Sequence, residues 1–124
     1  MAQRNSIMRG DIYNVQLDPC FGSEMGGHKM RPVAVASIDD IHNKTQIVIV
    51  IPGTSTVPRF SYGNVVAVDP DTATNGLVNR TFFQCHQVRA IDQGRITQAR
   101  LGRLSKKDFE RLIEGIGNNF GWIP

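Results

Sequence analysis

The sequence predicts a mainly β fold, a small and strongly bent barrel or sandwich, closed by one C-terminal helix. Three observations carry this. Residues 10 to about 100 fall into short apolar or alternating runs separated by turn signals. Only the last twenty or so residues have helical spacing. The 124 residues show no repeat, low-complexity tract or linker, so one domain over 1–124 is expected, with residues 1–8 flexible.

Asp11 to Leu17 alternates, with Tyr13, Val15 and Leu17 on one face. Asp18-Pro19 stops it, and Phe21 to Met30, rich in glycine, reads as a loop. Pro32 to Ile38 is a second strand, its proline tolerable at the start. Asp39-Asp40 and His42-Asn43-Lys44 read as a turn. Gln46 to Ile51 is apolar on both faces, as in a central strand. Pro52-Gly53 is expected to break it, leaving Thr54-Ser55-Thr56 as a polar loop. Asn64 to Val68 is a further strand.

Asn75-Gly76 signals a type I′ hairpin turn. Leu77 to Ile91 supplies one or two strands, and a last short strand is expected near Arg95 to Leu101. In the helix, Ser105 and Asp108 have capping spacing. Phe109, Leu112, Ile113 and Ile116 form one stripe, with Gly117 as the expected C-terminal cap.

The chain carries 14 Lys and Arg against 11 Asp and Glu, a net charge of +3, which mildly favours an anionic partner. No apolar run approaches the ~18 residues of a membrane span. The first eight residues lack an apolar signal-peptide core, so a cytoplasmic location is the default expectation. Cys20 and Cys85 form no C-x-x-C pair and are expected as free thiols.

No metal site is expected, because His28, His42, His86 and the cysteines lack ligand spacing. The run Gly22-Ser23-Glu24-Met25-Gly26-Gly27 lacks the G-K-S/T of a phosphate loop. Two loops remain. Glu24, His28, Lys29 and Arg31 concentrate charge before the second strand, and Thr54 and Ser55 follow the central strand. Were those strands antiparallel neighbours, Arg31 and Thr54 would meet at one rim of the sheet. A guanidinium fork with two hydroxyls there suits a phosphate. The competing reading is a solvated arginine and a turn.

At these residues the sequence resembles the MazF/PemK family, the ribonuclease toxins of bacterial toxin–antitoxin pairs. Arg9-Gly10-Asp11-Ile12-Tyr13 is similar to its first strand, Asp18-Pro19 with Gly22 to Gly27 to its loop, and Arg31-Pro32-Val33 to its R-P element. Pro52-Gly53-Thr54-Ser55 sits where the family has P-x-T-T/S. Gln87-Val88-Arg89-Ala90-Ile91-Asp92 resembles its D-Q-I/V-R/K segment. There are two departures: His28-Lys29-Met30 makes the loop about two residues longer, and His86 stands where an acidic residue is common.

The resemblance implies an SH3-like small β-barrel, shared with gyrase-poisoning toxins of the CcdB type, and a homodimer. It implies cofactor-free, metal-independent cleavage of single-stranded RNA, and a cognate antitoxin that blocks the site. Arg31 and Thr54 take the catalytic positions, and Glu24 matches the loop glutamate, a positioning group. Arg31 would stabilise the phosphorane, while Thr54 and Ser55 align the phosphate. The general base stays open between Glu24 and the histidines His28 and His86. Lys29 and Arg59 are candidate phosphate contacts, and Phe21, Phe60 and Tyr62 are candidate stacking faces. The alternative function is a non-catalytic toxin of this fold that inhibits a protein target such as gyrase.

Overall fold

Tyr13, Val15 and Leu17 do share a buried face, as their alternation predicts. The computed structural model describes residues 7–26, 29–59 and 63–122. In chain order these form strands β1 (Asp11–Gln16) and β2 (Met30–Val35), helix α1 (Asp39–Lys44), and strands β3 (Ile47–Thr54), β4 (Val65–Val68), β5 (Thr81–Gln84), β6 (Arg89–Asp92) and β7 (Gly102–Arg103). Helix α2 (Lys106–Asn118) closes the chain. All pairings are antiparallel. The sheet runs β4-β5-β3-β2-β1-β7, and β6 also pairs with β3. It curls into a half-barrel with a core on each face.

One core gathers Tyr13, Val15, Val33, Val35, Val48, Val50 and Ile91. The opposite face carries Ile12, Ala34, Ile51 and Phe83, and α2 lays Leu112 on it. This explains why β3 is apolar on both sides. Ser105 caps α2, its Oγ accepting from Asp108 N at 3.1 Å, as its spacing predicts. Gly115 lets the helix settle on Cys85, since a Cβ there would stand 2.6 Å from Sγ. Both cysteines are free thiols, and burial pushes that of Cys85 up to about 11.

Several expectations are corrected. Asp39–Lys44 is a short helix rather than a turn. Its first turn carries Asp39 and Asp40 and its last His42 and Lys44, which matches the helix dipole. Pro52-Gly53 does not break β3. On one edge the strand pairs with β6 up to Val50 and with β5 from Gly53, so Pro52 falls in the gap between those partners, while its other edge stays paired with Val33 of β2. Gly53 is required there, because a Cβ would stand 2.6 Å from Cγ2 of Thr81.

The Asn75-Gly76 pair makes no type I′ turn. Only Gly76 has positive φ, at 73°, while Asn75 Oδ1 accepts from Asp71 N and Leu77 N within a longer β4–β5 connection. The last strand lies at Gly102–Arg103, beyond the expected span. Residues Gln93–Arg95 form a 3-10 turn instead, with Asp92 accepting from Gly94 N. Gly117 lies inside α2, and Gly121, at φ 66°, takes the left-handed position.

The Arg9-Gly10-Asp11 segment is structural. Asp11 is fully buried, and its carboxylate accepts from Arg103 Nε at 2.9 Å, Arg100 Nη1 at 3.4 Å and Met8 N at 2.9 Å. Two half-exposed guanidiniums thus offset the desolvation of one buried charge.

Candidate active site

In the β2–β3 ladder Val33 pairs with Pro52 and Ala34 with Ile51. The same register carried two residues outward sets Arg31 opposite Thr54, where β3 ends and β2 begins. Both residues are half-buried and border one groove of about 410 Å³. Asn14, Pro32, Gly53 and Thr81 line its sheet side, while Lys29, Ser55 and Thr56 stand beside Arg31 and Thr54.

Among the described residues one side-chain bond holds Arg31, from Nε to Gly26 O at 2.7 Å. Its two terminal nitrogens have no hydrogen-bond partner among the described residues, which leaves the fork available to an anion. Thr54 Oγ1 accepts from Thr56 N at 3.1 Å, so its O–H remains a donor. Ser55 and Lys29 are exposed.

A second hollow of about 320 Å³ holds Glu24, Met25, His86, Gln87, Val88 and Arg89. Glu24 shapes the loop: Oε1 accepts from Phe21 N at 2.8 Å, and its own N–H donates to Phe21 O. His86 Nδ1 lies 2.7 Å from Asn64 Nδ2. With the amide donating, the neutral ring carries its proton on Nε2. Glu24 and His86, two candidate bases, therefore come together, but not in the hollow that Arg31 and Thr54 border.

Phe21 is 86% exposed, an open face on the same loop. Arg59 is exposed and lines neither hollow. His28, Phe60 and Tyr62 lie outside the described residues. His42, weighed as a metal ligand, is buried in α1 with Nε2 3.3 Å from an Asp39 oxygen, in poor hydrogen-bond alignment. Among the described residues no group of three or more His, Cys, Asp or Glu could hold a metal ion.

The sequence reading did not single out Asn14 or Gln87 as functional side chains. Gln87 uses both ends of its amide on the loop before β2. Oε1 accepts from Met25 N at 3.2 Å, and Nε2 donates to Ser23 O at 3.0 Å. Arg89 donates to Leu17 O at 3.1 Å and Arg95 to Asp18 O at 2.6 Å, pinning the loop's stem. The signal was the Gln87-Val88-Arg89 segment itself, whose polar members had no partner nearby in sequence.

A curled antiparallel sheet with a C-terminal helix, carrying a cation and a hydroxyl at one strand-end groove, defines a class of small β proteins. Residues 8–120 match the profile of the family described as PemK-like, MazF-like toxin of type II toxin-antitoxin system, and this chain belongs to that family. It is 31% identical over 116 residues to Endoribonuclease MazF9 of Mycobacterium tuberculosis, covering 89% of this chain and 92% of that protein. It is 31% identical over 110 residues to Endoribonuclease EndoA of Bacillus subtilis, covering 89% and 90%. The fold agrees with MazF from Deinococcus radiodurans, with TM-score 0.76, 19% identity, and coverage of 94% of this chain and 97% of that one. It also agrees with the Mycobacterium tuberculosis toxin MazF-mt6, with TM-score 0.71, 27% identity, and coverage of 92% and 99%. A mycobacterial endoribonuclease solved in complex with its cognate antitoxin superposes with TM-score 0.72 at 15% identity, over 96% and 99% of the chains.

Proposed function

We propose that this chain is the toxin of a type II toxin–antitoxin pair and acts as a metal-independent endoribonuclease on single-stranded RNA. The 2′-hydroxyl attacks the adjacent phosphorus and the 5′-oxygen leaves, giving a 2′,3′-cyclic phosphate and a 5′-hydroxyl. The observation that carries this reading is that Arg31 and Thr54 border one groove. The relatives named as endoribonucleases support it.

Arg31 meets the negative charge that grows on the non-bridging oxygens, usually the largest catalytic contribution in such a site. Thr54 donates its O–H to the same phosphate and, with Ser55, holds it for in-line attack. Lys29 adds charge at the groove mouth. Glu24 and His86 act on the flanking nucleotide from the second hollow, and Phe21 offers a stacking face. An arginine and a threonine converging on one anion site are what a cutter of phosphodiesters needs and a purely protein-binding toxin does not.

We further assign the chain to a single toxin domain that works as a homodimer in the cytoplasm, where both RNA and an antitoxin are at hand. No helix among the described residues is long and apolar enough to cross a membrane. Incubating purified protein with single-stranded RNA in EDTA tests the reading. Strand scission with cyclic-phosphate ends is expected. Intact RNA, with a protein target captured instead, would favour the non-catalytic toxin.

A further inference from the structure

We infer that Gln87 is a positioning residue for Arg31, acting through the loop before β2 rather than on RNA. This rests on the proposed role of Arg31. The described part of the segment between β1 and β2 contains Gly22 and Gly26, whose backbones carry no Cβ restraint. Glu24 and Phe21 close one turn of it from within, and the rest is held from outside. The Gln87 amide grips it twice, at Ser23 O and Met25 N, across more than sixty residues of sequence.

Gln87 is itself well rooted. It ends the 3-10 turn Cys85–Gln87. Cys85 is fully buried, takes Asn64 O through its backbone N–H at 2.7 Å, and donates its thiol to Leu112 O in α2. The hydrophobic core beneath α2 therefore sets where the amide stands.

Gly26 relays that position. It directly follows Met25, and its carbonyl receives Arg31 Nε. It is buried, and its Cα faces the Cys20 thiol so closely that a Cβ would overlap Sγ and stand 3.0 Å from Asp18 Oδ1. The carbonyl has little room to wander while the loop keeps its shape. With Nε anchored, the planar guanidinium can turn only as a unit, and its two terminal nitrogens project in a fixed direction. Without the grip on Met25 the relay loosens and the fork loses its aim. Misplacement of about 1 Å at a reacting centre is enough to cost ~100-fold in rate.

Two measurements on the full chain test this. In ¹⁵N-labelled protein, the Arg31 Nε–H signal, identified by its loss in Arg31→Ala, is expected to exchange slowly with solvent. It should exchange like free arginine in Gln87→Ala. It should be intermediate in Gln87→Glu, whose carboxylate accepts from Met25 N–H but cannot donate to Ser23. An Arg31 signal unmoved by Gln87→Ala overturns the proposal whether or not the protein cuts RNA, so its failure is separable from failure of the ribonuclease reading.

In RNA cleavage, Gln87→Ala should lower kcat about 10- to 100-fold with KM little changed, and Gln87→Glu should recover part of the loss. In an Arg31→Ala background, Gln87→Ala should add no further loss. Independent, multiplying effects of the two changes, or a raised KM with kcat intact, would mean that Gln87 touches the substrate itself and would overturn the inference.

Discussion

Arg31, at the start of β2, and Thr54, at the end of β3, lie two residues beyond the last pair of their antiparallel ladder, Val33 with Pro52, and border one groove. Neither is part of a core, so each can be altered without dismantling the sheet. Each is paired within the sheet, Arg31 with Val15 and Thr54 with Phe82, which holds cation and hydroxyl in place more firmly than a loop would.

Thr54 has two jobs, and substitution separates them. Its Oγ1 closes a short turn with Thr56 N, and its O–H is left to donate. Thr54→Ser keeps both and should retain most activity. Thr54→Ala should cut kcat about 100-fold, the usual cost of one donor at a developing charge. Steady-state kinetics on a short RNA, with circular dichroism to confirm the fold, would check this. Equal rates for Thr54→Ala and wild type would remove the hydroxyl from the chemistry.

Gly26→Ala should be inactive yet folded. The new methyl group would overlap Cys20 Sγ and displace the carbonyl that holds Arg31. Replacing Cys20 by alanine in the same chain removes the worst overlap and should restore part of the rate. Absence of any such recovery in cleavage assays would show that the carbonyl is not the cause.

Removing charge from Asp11 should destabilise without touching the site. Asp11→Asn leaves Arg100 and Arg103 without their buried partner, but both guanidiniums are half-exposed and can hydrate. The cost should fall below the full value for a buried pair, at about 2 kcal/mol in urea unfolding. A change near zero would show that the carboxylate only balances its own desolvation.

Stability should fall in alkali. Tyr13 is pushed from 10.0 up to about 12, first by burial and then by the nearby Asp11 charge, and burial moves Cys85 from 9.0 up to about 11. Both groups hold their protons longer when folded. Stability is therefore fully present below about pH 9 and is lost progressively as pH rises toward 12. Denaturant midpoints measured across that range should drop, and Tyr13→Phe should flatten the upper part of the curve. A flat profile in wild type would contradict the burial of both groups.

What was legible in the sequence was mostly local. Period-two alternation at Tyr13, Val15 and Leu17, the two-faced run before Pro52, and the Ser105 cap each depend on neighbours a few residues away. The rim position of Arg31 and Thr54 followed from a single assumption about antiparallel neighbours, which the ladder satisfies. The continuation of β3 through Pro52-Gly53 was hidden because it depends on an exchange of partner strands distant in sequence. The separation of Glu24 and His86 from the Arg31 groove was hidden for the same reason: which wall of a curled sheet a loop folds over is decided by contacts such as Gln87 to Met25, which no local pattern encodes.

The most direct test is single-turnover cleavage of one RNA in EDTA by wild type, Arg31→Ala and Arg31→Lys, with the new ends identified by mass. Wild type should release a 2′,3′-cyclic phosphate. Arg31→Ala should be slower by 100-fold or more, about 3 kcal/mol of transition-state stabilisation. Arg31→Lys should fail to restore the rate, because an ammonium lacks both the fork and the Nε–H that binds Gly26 O. Undiminished cleavage by Arg31→Ala would contradict the assignment of this guanidinium to the scissile phosphate.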